Sequence, residues 1–208
     1  MRHSVLWGRR RQGKSTLALA LAIISGKRPI LIFDPCAQFT YFPIARDLEA
    51  AMQTQGIFRI PVETSDPEAE FTELMAFLDG GTWDWSDYAL IVDETSQLQR
   101  PQAAHPAILR LIRTGPDDVF VAETLHRPSE THGTVKALST DYFIFQTSLK
   151  RDLEVISDNY GPDVANAVGK LGAYQCVHIW IDPGGAIRWK VWDDPSIWYV
   201  PLREGNEQ

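Results

Sequence analysis

Residues 8–15 read Gly-Arg-Arg-Arg-Gln-Gly-Lys-Ser, which matches G-x-x-x-x-G-K-[ST] at every fixed position. Glycines let a backbone curl until successive N–H groups point at phosphate oxygens, and a following helix adds its positive N-terminal end. In such a loop Lys14 contacts the β- and γ-phosphates, and the Ser15 hydroxyl is a ligand of Mg²⁺. The spacing predicts a triphosphate site formed by Gly8, Arg9, Arg10, Arg11, Gln12, Gly13, Lys14, Ser15 and Thr16.

A second group of residues that could take part in catalysis follows an apolar run. Residues 89–92 read Ala-Leu-Ile-Val, and Asp93 and Glu94 come directly after them. At the end of a strand beside the phosphate loop, Asp93 would hold Mg²⁺ through water and Glu94 would polarise an attacking water. A second carboxylate suits hydrolysis better than transfer to an acceptor. Because the chain has no Asn-Lys-x-Asp sequence, which reads guanine in GTPases, we expect the cofactors to be ATP and Mg²⁺.

These residues require strands and helices to position them, and the chain alternates the two patterns. Short apolar runs predict buried strands, and Leu- and Ala-rich or periodic segments predict helices. The predicted strands are Ser4–Trp7, Ile30–Phe33, Ile57–Val62, Tyr88–Val92, Val119–Ala122 and Tyr142–Phe145, and the predicted helices cover residues 14–25, 44–54, 68–79 and 103–113. Strands separated by helices favour an α/β fold with a mostly parallel sheet flanked by helices.

The end of the chain has a different pattern. Tyr174–Ile181 and Ala186–Trp192 flank Asp-Pro-Gly-Gly, a turn signal, so we expect a C-terminal β-hairpin. Three of the seven tryptophans fall in this hairpin, and Trp198 follows it. We therefore divide the chain into a core over residues 1–172 and a C-terminal β-hairpin and tail over residues 173–208, packed on the same domain.

Length, composition and charge exclude several classes of protein. The 208 residues are 44% apolar and 23% charged, as in globular domains, and no apolar run approaches the roughly 20 residues of a membrane span. Two cysteines make a disulfide scaffold unexpected and favour an intracellular chain. Although the net charge is -7, residues 1–28 hold seven Lys or Arg and no acid. This positive pole suits a nucleotide or a narrow DNA contact.

Three further features carry a resemblance to a known family. His126-Arg127-Pro128 follows the predicted strand Val119–Ala122. Asp152-Leu153 opens a helical segment after the next predicted strand, Tyr142–Phe145. Asp34-Pro35 ends the second predicted strand, near Phe39. Over about residues 4–156, the chain resembles the HerA/FtsK group of P-loop motor ATPases, which includes the DNA-packaging ATPases of some viruses. The resemblance implies a P-loop NTPase fold with a RecA-like ASCE core.

The resemblance also implies roles for individual residues and for partners. His126 stands where the group commonly has a glutamine that senses the γ-phosphate. Arg113 is the first choice for an arginine acting on a neighbouring subunit, and Arg127 is the second. The implied protein is a homo-oligomeric ring, such as a hexamer, that translocates double-stranded DNA and docks on a capsid or membrane vertex. Its expected location is the cytoplasm, or the host cytoplasm or virion for a viral protein.

Two other functions remain compatible with the phosphate loop. A P-loop phosphotransferase acting on a small metabolite would need a basic lid, for which only residues 110–127 offer spaced arginines. A nucleotide-gated assembly or secretion ATPase would use binding rather than movement as its output. Asp93-Glu94 and the Arg-Pro pair favour the motor over the phosphotransferase.

Overall fold

The computed structural model describes residues 2–80, 85–100, 102–182 and 184–193. Its strands are β1 (Arg2–Trp7), β2 (Ile30–Asp34), β3 (Ile57–Pro61), β4 (Ala89–Val92), β5 (Gln99–Arg100), β6 (Ala103–Ala104), β7 (Phe120–Leu125), β8 (Asp141–Phe145), β9 (Cys176–Ile181) and β10 (Ile187–Trp192). The α-helices are α1 (Lys14–Ile24), α2 (Leu48–Met52), α3 (Pro67–Asp79), α4 (Pro106–Thr114), α5 (Gly133–Leu138), α6 (Lys150–Tyr160) and α7 (Pro162–Gly169). Within these ranges no helix has both the length and the apolar character needed to cross a bilayer.

Eight of the strands form one sheet in the order β10-β9-β8-β1-β7-β4-β2-β3. The six strands from β8 to β3 run parallel, whereas β9 and β10 are antiparallel to their neighbours. The predicted α/β class, the mostly parallel sheet and the C-terminal hairpin are therefore confirmed. Because parallel strands end at one edge, the loops after β1, β2, β4, β7 and β8 meet there, and we call this the carboxyl edge.

The sheet is buried on both faces, which explains the unbroken apolar runs of its strands. In β2, Leu31 and Phe33 join a core cluster with α3, α4, α6 and α7, whereas Ile30 and Ile32 join a second cluster with α1. The alternation follows from the two-residue period of a strand. Helix α1 is apolar on most sides because it lies directly on the central strands, and Leu17, Leu19 and Ala22 are almost fully buried.

The predicted helix over residues 44–54 was wrong at its start. Helix α2 begins at Leu48, because the Asp47 side chain accepts a hydrogen bond from the Ala50 N–H at 3.0 Å and caps it. The residues before it extend along β3 instead, where the Ala45 N–H donates to the Arg59 carbonyl at 2.9 Å. A side-chain cap and a tertiary backbone contact thus override the helical pattern.

The predicted helix over residues 103–113 also begins too early. Ala103–Ala104 pairs antiparallel with β5 as the short strand β6, and α4 starts at Pro106. Proline at the first turn of a helix is favourable because its missing N–H would have no intrahelical partner there. The ring Nδ1 of His105 accepts from the Ala107 N–H at 3.2 Å and caps the helix.

The C-terminal hairpin extends the sheet beyond β8. Strand β9 starts at Cys176, two residues later than predicted, and β10 pairs with it from Ile187 opposite Ile181 to Trp192 opposite Cys176. The tail over residues 194–208, including Trp198, lies outside the described residues. The division of the chain at residue 173 stays a prediction.

A buried carboxylate joins β1, β8 and β9 at the end of the sheet opposite the carboxyl edge. Asp141 accepts from Arg2 Nε at 2.9 Å and lies 2.8 Å from His178 Nε2. Burial acts to raise the pKa of Asp141, but the hydrogen bonds from His178 and Arg2 outweigh it and hold the pKa well below its usual value. The site therefore keeps an ionised carboxylate inside the sheet.

Candidate functional site

The loop between β1 and α1 has the backbone that its glycines predict. A Cβ added to Gly8 would lie 2.7 Å from the Phe145 Cβ, so a side chain has no room there. Gly13 precedes α1 with φ of 95°, in the left-handed region that favours glycine. Arg11 also has a positive φ, of 64°. The result is a tight turn that leads directly into the N-terminus of a buried helix.

Lys14 is held inside this turn. Its side chain is almost fully buried, and its Nζ donates to the Arg9 carbonyl oxygen at 3.1 Å. Burial lowers the pKa of the Lys14 ammonium, and Arg10 adds repulsion, whereas the nearby Glu94 and Asp93 carboxylates oppose the shift. A buried cation with one carbonyl partner is well suited to exchange that partner for a phosphate oxygen.

Ser15, Asp93 and Thr124 are joined by hydroxyl donors. Both Ser15 Oγ and Thr124 Oγ1 donate to Asp93 Oδ1, at 2.9 Å and 2.8 Å. The other oxygen of Asp93, Oδ2, is buried and has no hydrogen-bond partner among the described residues. Burial raises the pKa of Asp93, the two hydroxyl donors oppose this shift, and the charges of Asp34 and Glu94 add to it. Ser15 and Asp93, the two predicted metal ligands, therefore lie in direct contact, and their role as ligands stays a prediction.

Glu94 lies beside this cluster with its carboxylate already engaged. Its backbone is left-handed, with φ of 57°, and its N–H donates to Thr124 Oγ1 at 2.9 Å. His126 Nε2 lies 2.5 Å from Glu94 Oε1, and Ser96 Oγ donates to the same oxygen at 2.7 Å. The structure thus brings together Glu94 and His126, which are separated by 31 residues and were predicted on independent grounds.

The loop after β2 supplies a contact that we did not predict. The Asp34 carboxylate is buried and accepts from the backbone N–H groups of Gln38 and Phe39, at 2.8 Å and 3.0 Å. This shapes the loop so that Ser15 Oγ lies 3.2 Å from Gln38 Oε1. Asp34-Pro35 was noted from sequence as a resemblance, but nothing in the pattern indicated that Gln38 would contact Ser15.

These residues line a cavity of about 570 Å³ at the carboxyl edge. The predicted residues Arg10, Arg11, Gly13, Lys14, Ser15, Thr16 and Glu94 contribute to its walls, together with Cys36, Gln38 and Thr124, which we missed. Gly8, Arg9 and Gln12 belong to the same loop but face elsewhere: the Arg9 N–H donates to Gln12 Oε1, and Gln12 Nε2 donates to the Gln146 carbonyl. The one sequence feature that could have indicated Thr124 is its position as a polar residue near the end of a predicted strand.

The structure separates the two candidate arginines. Arg127 follows β7 at the carboxyl edge, where it lines a neighbouring cavity and lies 3.6 Å from Glu130. Arg113 is exposed in the last turn of α4, just before β7 begins, and is therefore at the opposite edge of the sheet from Lys14. Arg113 does not contribute to the cavity of its own chain.

The donor set identifies the kind of metal that the site could hold. Among the described residues no cluster of three or more His, Cys, Asp or Glu is arranged for a metal ion, which leaves no zinc-type centre in that part of the chain. Ser15 Oγ and the unpartnered Oδ2 of Asp93 are hard oxygen donors, the type that Mg²⁺ prefers when most of its remaining ligands are water and phosphate. The residues present therefore fit Mg²⁺.

Comparisons with known proteins give a fold but no close relative. No family model matches the sequence, and no curated protein does. The genome packaging NTPase B204 from Sulfolobus turreted icosahedral virus 2, in complex with ATP-gammaS, is similar with a TM-score of 0.74 and 19% identity, over 90% of this chain and 96% of that one. The N-terminal domain of zonular occludens toxin from Neisseria meningitidis has a TM-score of 0.51 and 9% identity, over 95% and 96%.

The pCW3 conjugation coupling protein TcpA, in its monomer form with ATPgS, has a TM-score of 0.55 and 12% identity, over 99% of this chain and 64% of that one. At such identities the similarity concerns the fold. The chain therefore has a P-loop NTPase fold, and the resemblance inferred from its motifs is confirmed at that level.

Proposed function

We propose that this chain is an ATP-hydrolysing DNA translocase of the genome-packaging kind, acting as an oligomeric ring. One observation carries the proposal: Lys14, Ser15 and Glu94 line a single cavity at the carboxyl edge. Asp93 lies directly behind its wall, where its Oδ1 accepts from Ser15 and Thr124, and Thr124 also accepts from the Glu94 N–H. The shared fold with a viral packaging NTPase supports the choice of motor. The host cytoplasm or the virion would be its place of action, with a capsid or membrane vertex as its docking partner.

The phosphate loop would bind the triphosphate of ATP. Backbone N–H groups of residues 10–16, at the N-terminus of α1, would offer donors and positive potential. Lys14 would leave the Arg9 carbonyl for the β- and γ-phosphates. Burial lowers the pKa of its ammonium, and the nearby Glu94 and Asp93 carboxylates oppose that shift. Arg10 and Arg11, which also line the cavity, would add positive charge beside the phosphates.

Ser15 and Asp93 would hold Mg²⁺, Ser15 through its hydroxyl and Asp93 through water. A bound Mg²⁺ supplies charge neutralisation on the β- and γ-phosphates as negative charge develops. Thr124 would keep Asp93 oriented, since its hydroxyl donates to Oδ1 and leaves Oδ2 for the metal side. Gln38 Oε1 lies 3.2 Å from Ser15 Oγ and would be an alternative acceptor for its single proton, which Asp93 Oδ1 accepts here.

Glu94 would polarise the attacking water, and His126 would control when it can do so. Both His126 and Ser96 contact Glu94 Oε1, so the proton from water would go to the other carboxylate oxygen, Oε2, or to Oε1 after one of these contacts is broken. A γ-phosphate near His126 would compete for its ring N–H. This arrangement favours hydrolysis over phosphoryl transfer to a metabolite, because the carboxylate beside the phosphate site is placed for a water molecule.

ATP turnover by the purified chain, with and without linear double-stranded DNA and followed through a sizing column, tests the proposal. We expect hydrolysis that DNA stimulates in a ring-sized species. Lys14→Ala should abolish turnover, and Lys170→Ala, which changes an exposed lysine outside the cavity, is the matched control. A monomer that hydrolyses ATP indifferently to DNA, or full activity of Lys14→Ala, would contradict the proposal.

A further inference from the structure

A second cavity lies beside the phosphate cavity at the carboxyl edge. It measures about 520 Å³ and lies between the residues that follow β7 and those that follow β8. Arg9, Arg10 and Arg127 line its mouth, and Trp7, Ile144, Phe145 and Leu149 supply apolar lining. Arg10 also lines the phosphate cavity, so the two spaces share a wall made by the first residues of the phosphate loop.

Exposed cations surround the mouth of this second cavity. Lys150 and Arg151 open α6 between the lining residues Leu149 and Asp152, and both are exposed. With the three arginines above they form what we call the cationic rim: Arg9, Arg10, Arg127, Lys150 and Arg151. All five are exposed, in a chain whose net charge is -7.

Acids among these residues offset only part of the rim's charge. Glu130 lies 3.6 Å from Arg127, and Glu154 lies 3.6 Å from Lys150, both in exposed pairs of the kind that contribute little. Asp152 lines the same cavity, where it is buried and accepts from Ser129 Oγ at 2.7 Å, so it offsets one further charge. The rim therefore keeps an excess of positive charge toward solvent.

We propose that the cationic rim binds the phosphate backbone of DNA next to the nucleotide site. This inference rests on the proposed function and names the DNA contact. Several long, exposed cations spread along one edge suit a polyanion whose charges are also spaced, because each contact releases counterions. The triphosphate of ATP already has its own cavity, with Lys14 buried in it, so the rim is left for a separate anion.

The rim is also physically connected to the catalytic lysine. Arg9 Nη2 lies 3.4 Å from Ser148 Oγ in the loop that leads to α6, and the Arg9 carbonyl accepts from Lys14 Nζ. DNA drawn onto the rim would pull on the Arg9 side chain and so alter the carbonyl that competes with phosphate for Lys14. This gives a route by which DNA raises ATP turnover.

The test compares two double variants that each remove two cations. Lys150→Gln with Arg151→Gln removes two cations of the rim and changes none of the residues proposed to contact the nucleotide. Glutamine preserves helix propensity. The control is Lys27→Gln with Arg188→Gln, since both residues lie at the opposite edge of the sheet and each is paired with an acid, as Lys150 is. Affinity for a labelled duplex is measured by fluorescence anisotropy at several salt concentrations, together with ATP turnover and thermal unfolding.

We expect the rim variant to bind duplex at least about ten-fold more weakly, and its plot of log affinity against log salt to be shallower by about 2. Its basal ATP turnover should equal that of the wild type, its DNA stimulation should fall, and the control should resemble the wild type in every measurement. Wild-type affinity and salt slope in the rim variant would overturn the inference alone.

Two other results would also overturn it. A rim variant that elutes as a smaller species yet binds DNA normally would assign the rim to a neighbouring copy of the chain. A wild-type protein that hydrolyses ATP but does not bind duplex at any salt concentration would remove the motor together with the rim. Absence of any ATP turnover in the wild type would instead contradict the nucleotide assignment itself.

Discussion

Thr124 provides the sharpest test of the candidate site, because its single hydroxyl serves both acids. It donates to Asp93 Oδ1 at 2.8 Å and accepts from the Glu94 N–H at 2.9 Å. The residue is 1% exposed, and valine offers neither a donor nor an acceptor in place of the hydroxyl. Thr124→Val keeps nearly the same shape and deletes only this bridge.

The expected size of the effect follows from those two bonds. A hydrogen bond to a charged group contributes about 1.5–3 kcal/mol, and a buried N–H left without a partner costs about 1–3 kcal/mol. Taken together, the two losses should lower the free energy of unfolding of Thr124→Val by about 2.5–6 kcal/mol. If even about 1.4–2.7 kcal/mol of transition-state stabilisation is lost as Asp93 and Glu94 shift, kcat falls about 10- to 100-fold.

Steady-state ATP turnover across a Mg²⁺ titration, together with denaturant unfolding, measures both effects. Thr124→Ser is the matched control, since it retains the hydroxyl and loses one buried methyl group, at a cost of about 1 kcal/mol. The serine variant should keep most of the turnover that the valine variant loses. Equal turnover in the valine variant and the wild type, or an equal loss in both variants, would refute the role of the bridge.

Three further predictions concern other parts of the molecule. His126→Gln retains a donor to Glu94 and should keep turnover within about three-fold, whereas His126→Ala should lower it about ten-fold or more; equal losses would mean that the imidazole itself is required. If Arg113 acts in trans, mixing Arg113→Ala subunits with Glu94→Gln subunits should restore some turnover at mixed interfaces, and no restoration would make it structural. The lowered pKa of Asp141 means that its carboxylate stabilises the fold above its unfolded pKa, about 3.9, and that this contribution is lost as the pH falls toward the folded value. Asp141→Asn should thus destabilise the chain by about 1–3 kcal/mol at pH 7, partly because Arg2 loses its partner, and the difference from wild type should shrink below pH 4 in acid-unfolding curves.

The phosphate loop and the acid pair were predictable because each is encoded within a few consecutive residues. The loop needs Gly8, Gly13, Lys14 and Ser15 at fixed spacing, and a local turn and helix N-terminus bring them together without help from distant residues. The strand before Asp93 is equally local, since an unbroken apolar run is what burial on both faces of a parallel sheet requires. The prediction of such a motif stays correct even when the predicted boundaries of the neighbouring helices and strands are wrong.

The boundaries themselves depend on groups that a hydrophobic pattern does not contain. Helix α2 starts where the Asp47 carboxylate captures the Ala50 N–H, and α4 starts where the His105 ring captures the Ala107 N–H. In both cases the residues just before the cap have tertiary partners, β3 for Ala45 and β5 for Ala103–Ala104. Those contacts join segments that are distant in sequence, which explains why a local periodicity extended both helices too far.

The contacts of the site follow from the register of three strands. Val92 in β4 lies opposite Phe33 in β2 and Glu123 in β7. The residues that come next, Asp34, Asp93 and Thr124, therefore form one row at the carboxyl edge, each at the same height above the sheet. A slip of one residue in either strand pairing would turn the side chain of the shifted strand to the opposite face of the sheet.

Asp93 was identifiable from its own strand. The contact of Thr124 with Asp93 requires that β7 lie beside β4, and the contact of Gln38 with Ser15 requires the loop that Asp34 shapes by its hydrogen bonds. The row of Asp34, Asp93 and Thr124 is thus produced by strand pairing, and a sequence motif identifies only the residue on its own strand.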